Sequence, residues 1–203
     1  LLGRKGAAAV VYALPRGGVP VALEIARELD APLDLALVRK IGVPGYPEFA
    51  LAAVSDGKAP RVVINESVLL KSGASRDYLL QEAAKELKEI ERRRTLYFGN
   101  RDRPDPAGKI AIVVDDGLAT GATARVAVEA LRQQGAAKVI LAVPVAPRSA
   151  AAEMRAIVDD FVCVLEPEVF SSVGSFYDDF HQLTDQEVMA MLDEAAAFGS
   201  AKV

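Results

Sequence analysis

Strand-length apolar runs alternating with helical patterns predict an α/β fold with a doubly wound, mostly parallel sheet. Three observations carry this expectation. The runs are continuously apolar rather than alternating in polarity, as strands covered on both faces are. Helical stretches separate most of them, as parallel crossovers require. The chain has 203 residues, 51% of them hydrophobic and 26% charged, which suits a full core and excludes a disordered chain.

Taken in order, residues 8–14 form the first apolar run and stop at Pro15-Arg16-Gly17-Gly18. A helical pattern covers 19–29, and 33–38 reads as a second buried strand. Residues 42–60 carry Gly42, Pro44, Gly45, Pro47, Gly57 and Pro60, which predicts a long loop or a loosely paired hairpin. Residues 61–65 are strand-like, and 75–96 read as a long, charged helix. Residues 110–114, 138–145 and 161–165 are further buried strands, with helices over 122–134 and 148–157 between them. Thr184-Asp185-Gln186-Glu187 has the spacing of a capping box and opens a final helix over 185–197. No internal repeat or linker stands out, so 1–203 reads as one domain with a short appendage over 166–183.

Charge narrows the partners. Lys and Arg number 24 against 28 Asp and Glu, a net charge of −4, which argues against a general nucleic-acid binder. The three arginines Arg92 to Arg94 are interleaved with Glu82, Glu86, Glu89 and Glu91, so this helix reads as a solvated, salt-bridged face. One cysteine and one histidine exclude an intrachain disulfide and a His/Cys zinc site. No apolar run approaches the roughly 20 residues that span a bilayer. The start lacks both a secretory apolar core and an initiator Met, so the expectation is a soluble, cytoplasmic protein whose first residues are missing here.

The densest chemistry lies in residues 111–123, AIVVDDGLATGAT. An apolar strand ends in two adjacent carboxylates, and a loop of small and hydroxylated residues then leads into a helix. Small side chains let backbone N–H groups converge on an anion at the helix N-terminus, and the Thr hydroxyls add donors. Paired acids at a strand end accept hydrogen bonds from a sugar diol or help organise Mg²⁺. The segment is not a Walker loop, because no Gly-Lys-Ser/Thr follows, and no G-x-G-x-x-G follows any strand.

This segment resembles the phosphoribosyl-diphosphate (PRPP) binding motif of type I phosphoribosyltransferases. The resemblance extends over about residues 8–183 and implies that family's fold. It implies that Asp115 and Asp116 hold the ribose hydroxyls and Mg²⁺, and that Ala119, Thr120, Gly121, Ala122 and Thr123 cradle the 5′-phosphate. Gly117 departs from the usual aliphatic residue, which is expected to loosen the turn. Arg16 and Gly17 occupy the place of the pyrophosphate loop, where the resemblance also implies a cis Pro15–Arg16 bond. Arg39 and Lys40 stand where the family places cations near pyrophosphate; a solvated turn is the other reading. Residues 43–49 sit where the family has its mobile catalytic loop, without pointing to one catalytic side chain. The subgroup most similar is one of uncharacterised bacterial phosphoribosyltransferase-like proteins.

Residues 166–183 are similar to the hood of 6-oxopurine phosphoribosyltransferases. That likeness implies Phe170 stacked on a base, Asp178 or Asp179 near its edge, and His181 in the place of an arginine that reaches pyrophosphate. Ala119 and Pro144 depart from the 6-oxopurine pattern, and Ala119 instead matches the adenine and orotate forms. The base is therefore left open. The implied activity is Mg²⁺-dependent transfer of the phosphoribosyl group of PRPP to a nitrogenous base, purine or pyrimidine, with release of pyrophosphate. The alternatives are a non-catalytic PRPP or nucleotide sensor and, third, a hydrolase of phosphoribosyl compounds. Related enzymes are often dimers, which makes a homodimer the expectation by analogy.

Overall fold

The computed structural model describes residues 1, 3, 8–56, 61–99 and 101–199. Most of the first seven residues, and 57–60 of the punctuated stretch, lie outside the described set. The chain divides into two units, one made of residues 1–36 and 101–203 and the other of residues 37–100. The sequence carries no linker signal at either junction.

The first unit holds a five-stranded sheet in which every pairing is parallel. Its strands are β1 (Ala9–Ala13), β2 (Leu33–Leu35), β6 (Ile110–Val114), β7 (Lys138–Val145) and β8 (Asp160–Leu165), in the order β2-β1-β6-β7-β8. Helices α1 (Gly18–Leu29), α4 (Ala122–Gln133), α5 (Arg148–Arg155) and α6 (Asp185–Gly199) complete it. The apolar runs do what their continuity predicts: Val10, Val11, Ile112, Val113, Ile140 and Leu141 have no exposed surface. The chain leaves β1 toward β2 on one side and later returns to β6 on the other. The carboxyl ends of β1 and β6 therefore flank a topological switch point, where open α/β sheets bind ligands. The two strands run in register, Ala13 beside Val114, so their following loops emerge side by side.

Asp34, buried at 4% exposure, is neutralised by Arg103, whose Nη2 lies 3.0 Å from its carboxylate and also donates to the Leu35 carbonyl. Tyr12 donates its hydroxyl to the Pro104 carbonyl at 3.1 Å. These contacts hold the segment leading into β6 against β1 and β2. The capping box of α6 forms: the Thr184 amide donates to Glu187 Oε2 at 2.7 Å, and the Glu187 amide donates to Thr184 Oγ1 at 3.2 Å.

The second unit is a three-stranded antiparallel sheet with two helices. Its strands are β3 (Val38–Val43), β4 (Tyr46–Ser55) and β5 (Arg61–Ile64), in the order β3-β4-β5; its helices are α2 (Glu66–Ser72) and α3 (Arg76–Phe98). Ile41, Leu51, Val54, Leu69, Leu79 and Ile90 form its core. Much of the glycine- and proline-rich stretch is thus a hairpin rather than a loop. The irregularity of its sequence appears as a register shift around Gly42 and a turn at Gly45, whose φ is +78°. The run over 33–38, expected as one strand, splits into β2 and the start of β3, and Arg39 and Lys40 lie inside β3. Helix α2 escapes a periodicity reading because it is two turns long; Asn65 caps it by accepting from the Val68 amide. No helix among the described residues is long and apolar enough to cross a membrane.

Candidate active site

The candidate site is built where β1 and β6 end. The Leu14 amide donates to the Val114 carbonyl at 2.8 Å and extends the strand pairing to the edge of the site. The Pro15–Arg16 peptide bond that follows is cis, as the resemblance implies. Helix α1 then starts at once, with Gly17 as its N-cap and no side chain capping it. Its first amides are already engaged: the Gly18 amide donates to the Leu14 carbonyl at 3.0 Å and the Val19 amide to the Arg16 carbonyl at 3.2 Å, and Pro20 has no N–H.

Both glycines of this turn are required by proximity. A Cβ on Gly17 would stand 1.8 Å from Asp116 Oδ2, and one on Gly18 would stand 2.5 Å from the Val114 carbonyl oxygen and 2.9 Å from Asp115 Cα. The turn after β1 and the acid pair after β6 are in direct contact. Asp115 turns back on itself, with Oδ1 accepting from the Asp116 amide at 3.0 Å. Burial raises the pKa of both carboxyls, and the Asp116 charge raises that of Asp115 further. A pair held this way gains from a cation or from hydroxyl donors.

Beyond the acids, Gly121 has φ +71° and serves as N-cap of α4, again with no capping side chain. The Ala122 amide reaches Thr120 Oγ1 at a long 3.4 Å, and Ala119, Thr120 and Thr123 are exposed. Gly121 is also packed closely, since a Cβ there would meet Met154 Sδ at 3.2 Å. The result is an open helix N-terminus walled by small residues, the chemistry that accepts phosphate. This open terminus and the glycine turn after β1 flank the acid pair in this one unit.

Segment 166–183 reaches the acid turn from the far side of the sequence. Tyr177 donates its hydroxyl to the Asp116 carbonyl at 2.6 Å. A Cβ on Gly117 would meet Val173 Cγ1 at 2.7 Å and Val145 Cγ1 at 2.9 Å. Val173 and Val145 fill the place that a side chain at 117 would take. The Leu118 amide, bonded to the Val145 carbonyl at 2.9 Å, holds the next residue.

The other expected site residues fall into separate settings. Arg16 lies 3.8 Å from Asp185 at the start of α6. Phe170 stacks on Phe176, with centroids 5.6 Å apart, so a base would have to share or replace that contact. Asp178 and Asp179 are both exposed at the surface. His181 stands between Asp179 and Glu187, at 3.6 and 3.3 Å. Arg39 and Lys40 belong to the other unit, where Arg39 Nε binds Glu86 at 2.5 Å. Sequence reasoning missed Tyr177 as a site residue. Its bond is to a backbone oxygen, which no residue pattern announces.

Among the described residues no group of three or more His, Cys, Asp and Glu could hold a metal ion. Asp115 and Asp116 are the carboxylates at the switch point, and two carboxylates suit a hard cation that keeps waters and takes further oxygens from a ligand.

The family model of the phosphoribosyl transferase domain matches residues 4–181. A curated Mycobacterium tuberculosis protein, "Putative phosphoribosyl transferase Rv0571c", is 45% identical over 192 residues, 94% of this chain and 42% of its own length. Its counterpart in another strain matches equally. This chain thus spans less than half the length of these curated relatives. Among solved structures, TT1426 from Thermus thermophilus is similar at TM-score 0.84 and 41% identity, over 95% of this chain and 91% of that one. With a switch-point site of this form and a family match over most of its length, the chain belongs to the phosphoribosyl transferase domain family.

Proposed function

We propose that this chain transfers the 5-phosphoribosyl group of PRPP to a nitrogenous base and releases pyrophosphate. The bond from the anomeric carbon to pyrophosphate oxygen breaks, a bond to the base nitrogen forms, and the base gives up a proton. The observation that carries this reading is the convergence at one switch point of the open α4 N-terminus, the Arg16–Gly17 turn and a carboxylate pair. The α4 terminus, from Ala119 to Thr123, takes the 5′-phosphate. The ribose diol faces Asp115 and Asp116. The Arg16–Gly17 turn takes pyrophosphate. Asp115 and Asp116, with oxygens of the ligand, would hold Mg²⁺, which would supply charge neutralisation for the departing pyrophosphate. The remote phosphate handle supplies binding energy that steadies an oxocarbenium-like transition state.

Pyrophosphate release with PRPP and Mg²⁺, screened against adenine, hypoxanthine, guanine, xanthine, orotate and uracil, tests the proposal. Release with at least one base supports it. A second reading, PRPP binding without transfer, is favoured by one observation: Arg39 is engaged by Glu86, and His181 by Asp179 and Glu187. Silence with every base, while PRPP still binds, would establish that reading instead.

A further inference from the structure

Two contacts join segment 166–183 to the carboxylate turn, and packing inside the segment supports them. Tyr177 Oη donates to the Asp116 carbonyl at 2.6 Å. Val173 occupies the space that any side chain at 117 would take. Gly174 in turn has no room for a Cβ, because the Phe180 ring would lie 2.7 Å away, and that ring packs on Tyr177 with centroids 5.3 Å apart. Val173 to Phe176 form a short 3₁₀ turn, which fixes the spacing between the valine and the tyrosine.

We propose that Tyr177 is a positioning residue that clasps segment 166–183 to the Asp115–Asp116 turn, so that ligand binding at the turn and order in the segment are coupled. Its partner is the carbonyl of Asp116, so the bond sets the orientation of that peptide and of the carboxylate it carries. The hydroxyl is suited to a permanent donor role. A phenol holds its proton at neutral pH and so donates to a carbonyl oxygen. Gly117 makes the clasp possible: a larger residue there would drive Val173 off the turn.

Coupling of this kind is reciprocal. A ligand that orders the turn must order the segment, and one held by the segment must tighten the turn. That PRPP is the ligand rests on the function proposed above. The clasp itself does not, and the two are separable by experiment.

The test is amide hydrogen exchange on the whole chain, wild type against Tyr177→Phe, with and without Mg²⁺-PRPP. Without ligand, losing one net hydrogen bond should speed exchange over 115–118 by about 3- to 10-fold in Tyr177→Phe. With ligand, wild type should gain protection both over 115–123 and over 170–180. The variant should keep the first response and lose more than half of the second. Gly117→Ala should reproduce this uncoupling, and Gly117→Ala with Val173→Ala should restore part of the coupling. The clasp is refuted if ligand-free exchange over 115–118 is the same in Tyr177→Phe as in wild type. It is refuted equally if segment 170–180 gains the same protection in both proteins. Wild type that gains no protection anywhere from Mg²⁺-PRPP would overturn the proposed function, while the ligand-free comparison would still decide the clasp.

Discussion

Substituting Gly17 by alanine separates the fold from the site. The backbone at Gly17 has φ −60° and ψ −34°, which alanine adopts without strain. The added methyl would lie 1.8 Å from Asp116 Oδ2 and 2.6 Å from Asp116 Cγ. To recover van der Waals separation the carboxylate must retreat by roughly 1.5 Å. The obstacle is the end of a side chain, so it can rotate away and the protein still folds, within about 1 kcal/mol of wild-type stability. A displacement of ~1 Å in a reacting constellation costs about 100-fold, or ~2.7 kcal/mol of transition-state stabilisation. The assay pairs thermal unfolding with Mg²⁺-PRPP affinity by calorimetry and turnover by pyrophosphate release. The expected outcome is a near-native melting temperature with turnover down about 100-fold. Gly18→Ala is the contrasting control: its methyl meets the Val114 carbonyl oxygen and Asp115 Cα, which are backbone, so it should lose about 1–3 kcal/mol of stability. A folded Gly17→Ala protein with wild-type affinity and turnover would refute the assignment of Asp116 and the geometry behind it.

Further tests reach other parts of the molecule. Asp116→Asn keeps shape and removes charge; turnover should fall by about 100-fold or more while circular dichroism stays native, and unchanged turnover would remove Asp116 from the chemistry. Arg103→Ala withdraws the guanidinium from buried Asp34 and should cost about 3 kcal/mol in a urea titration, against under about 1 kcal/mol for the exposed Arg148→Ala. In α3, Arg92 and Arg93 hold the Glu89 carboxyl down at about 2. A carboxyl lowered in the folded state stabilises above its unfolded value and loses that contribution as pH falls through the folded value. Glu89→Gln should therefore cost about 0.5 kcal/mol at pH 7, and the difference should disappear between pH 4.5 and 2. A gap that persists at pH 2 would show that Glu89 acts through packing instead.

Legibility follows the range of the interactions. Strand β6 has the bounds its apolar run predicts, 110–114, because continuous burial on both faces leaves a signature within five residues. The capping box at Thr184 and the uncapped, small-residue approach to α4 are likewise local chemistry. The hairpin β3–β4 is readable only as one of two options. Glycine and proline mark departures from regular structure, yet cross-strand pairing absorbs these as a register shift and a turn. Helix α2 is not readable, being too short to show a period.

The α/β class, the acid pair and the phosphate-accepting loop are each written in neighbouring residues, whose types limit what the backbone can do. Which of the candidate groups meet is a property of the folded chain alone. Gly17 touches Asp116 because β1 and β6, roughly a hundred residues apart in sequence, pair in register. Arg39 turns to Glu86 because the β3–β4 sheet packs on α3 within the second unit. Tyr177 reaches the Asp116 carbonyl because a glycine at 117 leaves room for Val173. Each is a contact between residues far apart along the chain, and such contacts follow from packing rather than from the identity of the next residue.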